Sequence, residues 1–69
     1  MSVKQMVELF DGNVAIKFYR KWEVVFCGGK EECNPATFDE YAEIAEKAIL
    51  SYGVEMDGDV PTLRIEVGE

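Results

Sequence analysis

The sequence VAIKFYRKWEVVFC, at residues 14–27, decides the fold class of this chain. Apolar and polar side chains alternate along it, which predicts β-strand, because successive side chains of a strand point to opposite faces. The apolar positions of one parity are Val14, Ile16, Phe18, Trp22, Val24 and Phe26. We expect either one long strand that bends near Arg20 or a three-residue turn there, with Trp22 in the core. A two-residue turn at Arg20-Lys21 would put the apolar rows on opposite faces, which argues against it.

The residues before this stretch alternate as well. They predict a first strand over residues 3–10, with Val3, Val7 and Leu9 on one face. Asp11-Gly12-Asn13 follows, and these residue types suit a two-residue hairpin turn because Gly and Asn tolerate positive φ. Such a turn would pair the first strand with the second.

A helix is predicted after the Gly-Gly loop of residues 27–33. It begins either at Pro35, with Asn34 as its cap, or at the capping box formed by Thr37 and Glu40. It runs to about Tyr52, because Gly53 suits a C-terminal cap. Its apolar stripe, at helical spacing, consists of Phe38, Tyr41, Ala42, Ala45, Ala48, Ile49 and Tyr52.

The C-terminal residues predict an acidic loop over residues 54–61 and a last strand over residues 62–67. Leu63, Ile65 and Val67 alternate and face the core. The chain therefore reads as a single α+β domain over residues 1–69. We expect a small, mostly antiparallel sheet of three or four strands with one helix packed across it, in the order ββ(β)αβ.

The composition is that of a globular chain, with 48% hydrophobic and 30% charged residues. No apolar run approaches the roughly 18 residues that span a bilayer, and the N-terminal residues lack the apolar region of a signal peptide. We therefore expect a cytoplasmic protein, located in the host cytosol if a phage encodes it. Because thiols usually stay reduced in that compartment, we expect Cys27 and Cys33 to be free.

The residue types needed for catalysis are scarce. The chain has no histidine, which is the commonest general base and metal ligand. Its serines, Ser2 and Ser51, have no base to form a nucleophilic set. The cysteine spacing does not match a zinc site, and the acids around Asp57 do not match a calcium loop. We expect a protein that is not an enzyme and that uses no cofactor or metal.

The net charge of −7 is concentrated in the second half of the chain. Residues 1–30 hold five basic and three acidic residues, whereas residues 31–69 hold two basic and eleven acidic residues. Several acids share the helix side opposite the apolar stripe, and such a surface attracts a basic partner. The alternative is an ordinary solvated helix face. The candidate partner-binding residues are Asp39, Glu40, Glu43, Glu46, Leu50, Asp57 and Asp59.

A second candidate face lies on the predicted hairpin, where basic and aromatic residues interleave. Such a face can bind single-stranded nucleic acid by stacking and phosphate contact, although the charge of −7 argues against direct binding of nucleic acid. The same face could instead form a homodimer in which Met6, Phe10 and Tyr19 meet their symmetry mates. The residues of the alternative binding face are Lys4, Phe10, Lys17, Tyr19 and Lys21.

In size, acidity and lack of catalytic residues, the chain resembles the small inhibitors that phages use against host defence, including anti-CRISPR proteins. The resemblance covers the whole chain and rests on no single motif. It implies stoichiometric inhibition of a basic, nucleic-acid-handling protein, by mimicry of nucleic-acid charge. The helix acids from Asp39 to Glu46 would then make the contacts, helped by Asp57 and Asp59.

Overall fold

A computed structural model of the chain describes residues 1–10 and 14–68 and confirms the predicted α+β class. The order and number of helices differ from the prediction. The elements are α1 (Val3–Glu8), β1 (Ile16–Arg20), β2 (Glu23–Gly28), a 3₁₀ turn (Lys30–Glu32), α2 (Asp39–Ile44), β3 (Ile49–Asp57) and β4 (Val60–Val67).

The four strands form one sheet in the order β2-β1-β4-β3. The pairs β1–β2 and β3–β4 are antiparallel hairpins, and the central pair β1–β4 is parallel. The sheet is therefore mostly antiparallel, as predicted, and β2 and β3 are its two edges.

The predicted first strand is wrong, because residues 3–8 form the helix α1. Ser2 and Gln5 make a capping box: the Gln5 N–H donates to the Ser2 side chain, and the Ser2 N–H donates to the Gln5 side chain at 2.9 Å. Val3, Met6 and Val7 are the buried residues of α1, a helical rather than an alternating spacing. The strand pairing that we expected across Asp11-Gly12-Asn13 is therefore wrong, and the turn itself lies outside the described residues.

The predicted long helix is wrong at both ends. The observed helix α2 begins at Asp39 with Phe38 as its N-cap and no side-chain cap hydrogen bond, rather than at Pro35 or at a Thr37–Glu40 capping box, and it ends at Ile44. The carbonyls of Ala45, Lys47 and Ala48 accept hydrogen bonds from the N–H groups of Lys4, Val3 and Gly68, at 2.8 to 2.9 Å. The Ile49 N–H, which a continuing helix would direct at Ala45, donates to the Met1 carbonyl instead, at 3.1 Å. After α2, backbone hydrogen bonds to residues distant in sequence thus replace the hydrogen bonds of a helix.

The predicted acidic loop over residues 54–61 is wrong as well, because β3 and β4 form a hairpin there. Asp57 pairs with Val60 across the two turn residues Gly58 and Asp59. Gly58 has a φ of 65°, and glycine at the first central position is typical of a type II′ turn. The last strand is confirmed and begins at Val60 rather than Thr62. Its predicted inward residues Leu63, Ile65 and Val67 are all buried.

Residues 14–27 contain two strands joined by a two-residue turn, rather than one bent strand or a three-residue turn. Lys21 and Trp22 occupy the turn with φ of 52° and 72°, which a type I′ turn requires. A bulge between Phe18 and Tyr19 then shifts the register, so that Phe18 lies opposite Phe26 on the core face. Trp22 is 90% exposed, so its predicted place in the core is wrong.

The core lies between the helices and one face of β2, β1 and β4. Its aromatic centre joins Phe18, Phe26, Phe38 and Tyr41, whose neighbouring ring centroids are 5.7 to 6.1 Å apart. None of the nine residues of β3, all of them described, is fully buried. The buried hydrophobic residues are Val3, Met6, Val7, Ile16, Phe18, Phe26, Tyr41, Ile44, Ala45, Leu63, Ile65 and Val67.

Candidate protein-binding surfaces

Four of the predicted partner-binding acids lie together around α2. Asp39, Glu40 and Glu43 belong to the helix, and Glu46 follows in the turn after it. All four are exposed, and none takes part in an ion pair between described residues. We call these four residues the acidic surface.

The surroundings of Tyr41 show that a carboxylate of α1 adds to the negative charge near the acidic surface. Its side chain is only 2% exposed, and burial, followed by the neighbouring Cys33, Glu8 and Glu46, raises the pKa of its phenol to about 12. Glu8 of α1 and Glu46 therefore both act on the Tyr41 hydroxyl. Glu8 was not among the predicted residues, because the sequence placed it on a strand.

The remaining predicted residues lie away from the acidic surface. Asp57 ends β3, about 26 Å along that strand from Ile49 at 3.3 Å per residue, and Asp59 lies in the adjoining turn. The helix α2 packs against β2, at the opposite edge of the sheet from β3. Leu50 is an exposed residue of β3. The structure thus divides the predicted site into separate parts.

The sheet face that points away from the helices carries an internal polar network. The Lys17 ammonium lies 3.5 Å from the Asp57 carboxylate. The Tyr19 hydroxyl donates to Glu55 at 2.8 Å, and the Arg64 guanidinium lies 5.2 Å from the centre of the Tyr19 ring. Asp57 is the main cause that raises the Lys17 pKa, and the Glu55 hydrogen bond is the main cause that raises the Tyr19 pKa.

The five residues of the alternative binding face are spread over three parts of the molecule. Lys17 and Tyr19 belong to the network on β1, and Lys21 lies in the β1–β2 turn. Lys4 is exposed on α1, whereas Phe10 packs against the core, with its carbonyl accepting a hydrogen bond from the Lys30 ammonium. Met6, which we considered as a dimer contact, is itself a core residue.

An apolar surface that was not predicted runs along β3. Tyr52, Val54 and Met56 are 69%, 73% and 63% exposed. Their partners in the β3–β4 ladder include the buried Leu63 and Ile65, so these side chains point to the core face of the sheet at an edge that the helices do not cover. Together with Leu50, 65% exposed, we call them the β3 apolar surface.

A groove of about 640 Å³ lies beside this surface, between α1 and the start of β3. Its lining residues are Met1, Met6, Leu9, Ile49, Leu50, Ser51 and Tyr52. The alternation of Tyr52, Val54 and Met56, followed by Asp57-Gly58, was a hairpin signal in the sequence. The helical stripe that ends at Tyr52, and the acidic residues after it, led to the prediction of a helix followed by a loop instead.

The two cysteines are thiols in different environments. Cys27 is exposed, and Cys33 is half-buried beside the core. Burial, and then Glu32, raises the pKa of the Cys33 thiol to about 11, so little thiolate is present at neutral pH. Within residues 1–10 and 14–68, no group of three or more His, Cys, Asp or Glu residues could hold a metal ion. The same residues include no helix with the length and apolar character needed to cross a bilayer.

No family model matches the chain, no curated protein is significantly similar to it, and no solved structure is significantly similar to its fold.

Proposed function

We propose that this chain is a non-catalytic binding protein that presents the acidic surface of α2 to a basic site on a partner protein. One observation carries the proposal. Six carboxylates between residues 31 and 46 are all exposed, and no Lys or Arg lies among them. Glu31 and Glu32 precede the four residues of the acidic surface in this segment. Charge of one sign on an exposed surface creates a potential that steers an oppositely charged partner.

The chemistry of this surface favours a partner that normally handles nucleic acid. Such a protein has a basic groove built for a row of negative charges, and closely spaced carboxylates on a short helix offer the same sign of charge. Binding there would block the groove without any chemical step. The protein would then act as a stoichiometric inhibitor in the cytosol, in the manner of the anti-CRISPR proteins that the chain resembles.

Asp57 and Asp59 support this proposal less than the helix acids do. Asp57 already lies beside Lys17, which neutralises part of its charge. Both residues are at the tip of the β3–β4 hairpin, far along β3 from the end of α2. The acidic surface is therefore the contact region, and the hairpin acids contribute only to the overall field.

Direct binding of nucleic acid through the alternative face has less support. Lys17 is engaged by Asp57, and the Tyr19 ring lies under Arg64 with its hydroxyl bound to Glu55. A base could stack on Tyr19 only after Arg64 moved away. The predicted basic and aromatic face therefore offers neither a free cation at Lys17 nor an open ring at Tyr19.

A pull-down from lysate of the source cell, at low and high salt, tests the proposal. The bait is the wild-type chain, compared with the double variant Glu40→Lys/Glu43→Lys. We expect a basic protein on the wild-type bait at low salt, its loss at high salt, and its loss from the double variant. The salt dependence follows because exposed charges are screened beyond about 8 Å at physiological ionic strength.

The matched control is Glu23→Lys/Asp59→Lys, which changes the net charge by the same amount at two exposed positions outside residues 31–46. We expect this control to retain the partner. Loss of the partner from both double variants would mean that only the total charge matters. Retention by both would show that binding does not use α2.

A further inference from the structure

We propose that the open edge of β3 pairs with β3 of a second copy of this chain, forming a dimer with one continuous eight-stranded sheet. The inference is independent of the function proposed for α2, because it concerns the opposite edge of the sheet. β3 is the longest strand, and β4 is the only strand among the described residues that pairs with it, although the Met1 carbonyl accepts a hydrogen bond from the Ile49 N–H at its start. An edge strand presents unpaired N–H and C=O groups that can pair with another chain.

The backbone direction along β3 shows which residues face the open edge. In an antiparallel pair only alternate residues exchange hydrogen bonds with the neighbouring strand. Val54 lies opposite Leu63, but the Leu63 N–H donates to the Ala15 carbonyl at 2.9 Å, away from β3. Val54 and Leu63 therefore do not exchange hydrogen bonds with each other. Met56 lies opposite Pro61, which has no N–H to give. Tyr52, Val54 and Met56 therefore direct their backbone groups to the open edge.

The regular part of β3 is complementary to itself. Its register with β4 is uninterrupted from Ser51 to Asp57, and a bulge interrupts it at Leu50. The middle of this regular part is Val54. A two-fold axis at Val54 would pair residues 51–57 with residues 57–51 of the second copy, using up to about six backbone hydrogen bonds.

This register places no acid opposite an acid. The Asp57 carboxylate would lie opposite Ser51 of the second copy, and Glu55 opposite Gly53. A shift that centres the axis on Glu55 would set two Glu55 carboxylates against each other, which is destabilising. A shift toward Gly53 would bring the bulge at Leu50 into the ladder. The axis at Val54 is therefore the favoured one.

The two carboxylates nearest the contact between the β3 strands have partners within each copy. Glu55 accepts a hydrogen bond from the Tyr19 hydroxyl, and the Asp57 carboxylate lies beside the Lys17 ammonium, so both carboxylates are held on the outer face of their own sheet. On the other face, Tyr52 of each copy would lie opposite Met56 of the other, with the two Val54 side chains between them. The contact thus joins three exposed apolar side chains of the strand.

The other edge of the sheet is less suited to pairing. β2 is shorter, and the register shift opposite Phe18 and Tyr19 disrupts it. Bulges of this kind discourage pairing at a sheet edge. Pairing of β3 with β3 is also closed by symmetry, whereas pairing of β3 with β2 would propagate into a filament.

Sedimentation equilibrium of the full chain over a range of protein concentrations tests the dimer. We expect wild type to pass from monomer to dimer as its concentration rises, and Val54→Lys to remain a monomer with an unchanged circular dichroism spectrum. The matched control is Val24→Lys, an exposed valine on the other edge strand, which should dimerise like wild type. Wild type that stays monomeric, or equal dimerisation of both lysine variants, would overturn the proposal.

A crosslink gives a second test that does not depend on the lysine variants. Directly opposed, hydrogen-bonded residues have Cα atoms about 5.5 Å apart, within the disulfide range of about 4.4 to 6.8 Å. In a Cys27→Ser background, Val54→Cys should therefore form a disulfide-linked dimer on mild oxidation, and Val24→Cys should not. Absence of a crosslink from Val54→Cys would contradict the axis at Val54.

The salt dependence separates this dimer from binding through α2. Each copy carries a net charge of −7, so added salt screens the repulsion and should strengthen the dimer. Binding of a basic partner should weaken under the same change. A dimer that dissociates as salt rises would indicate a charged interface and would contradict the pairing of β3 with β3.

Discussion

The Lys17 ammonium and the Asp57 carboxylate lie 3.5 Å apart, although Lys17 is on β1 and Asp57 on β3, with β4 between them. The sequence predicted these residues on two alternative binding surfaces, Lys17 on a basic one and Asp57 on an acidic one. In the folded chain they neutralise each other on one sheet face. The negative charge that remains without a partner between described residues is therefore greatest around α2.

Removing the Asp57 charge should return the Lys17 pKa toward its ordinary value. Asp57 is the largest cause that raises the Lys17 pKa, so Asp57→Asn should lower that pKa, as measured by nuclear magnetic resonance titration of the Lys17 side chain. Asp59→Asn is the matched control and should leave the Lys17 titration unchanged. An unchanged Lys17 pKa in Asp57→Asn would contradict the ion pair.

Two glycines of the β3–β4 hairpin should respond to alanine with opposite signs. A Cβ atom at either Gly53 or Gly58 would meet nothing within 4 Å, but Gly58 has a φ of 65°. We expect Gly58→Ala to lower the free energy of unfolding by about 1 kcal/mol, because a left-handed residue with a Cβ is strained. Gly53→Ala should raise it by about 0.5 kcal/mol, because glycine weakens a strand interior. Urea denaturation measures both, and equal signs would contradict the hairpin.

This hairpin also shows where the sequence was insufficient. The strand containing Leu63, Ile65 and Val67 was predictable because its alternation has no competing pattern. Residues 45–52 carry a helical stripe as well as a strand pattern, and local spacing cannot decide between them. The choice depends on backbone hydrogen bonds from α1 and from Gly68, which are distant in sequence.

The capping box of α1 should have a measurable effect on stability. Ser2 accepts the Gln5 N–H, and α1 supplies the hydrogen bonds that end α2. We expect Ser2→Ala to lower the free energy of unfolding by about 1 kcal/mol, as loss of an N-cap typically does. Lys4→Ala, at an exposed position of the same helix, should change it little. Equal effects of the two substitutions would mean that the capping box does not stabilise α1.

Alkaline pH should destabilise the fold through Tyr41. Burial raises its pKa from 10.0 to about 12, so the unfolded chain loses this proton first. The stability that depends on the protonated phenol is present below pH 10 and is lost as the pH rises toward 12. Because the Cys33 pKa is also raised, to about 11, the comparison requires a Cys33→Ser background.

In that background, Tyr41→Phe should have a smaller decrease in unfolding free energy between pH 9 and pH 11 than its parent. Tyr52→Phe is the control, because Tyr52 is 69% exposed, and it should behave like the parent. The measurement is urea denaturation at each pH. A decrease that is unaffected by Tyr41→Phe would show that another group causes the alkaline destabilisation.

The candidate surfaces were predictable only in part, for a physical reason. Asp39, Glu40 and Glu43 lie within the six residues of α2, so local helical structure was enough to predict that they lie together. The separation of Asp57 from them, and its pairing with Lys17, depend on strand order. The exposure of Val54 and Met56 depends on how far the helices reach across the sheet, which no local pattern encodes.

The most direct test of the function proposed here is a calorimetric titration of the captured partner with wild type and with Glu40→Lys/Glu43→Lys, each at two ionic strengths. We predict that wild-type affinity falls as salt rises and that the double variant shows no binding at either salt concentration. An affinity of the double variant equal to that of wild type would contradict the assignment of the acidic surface of α2 as the binding site.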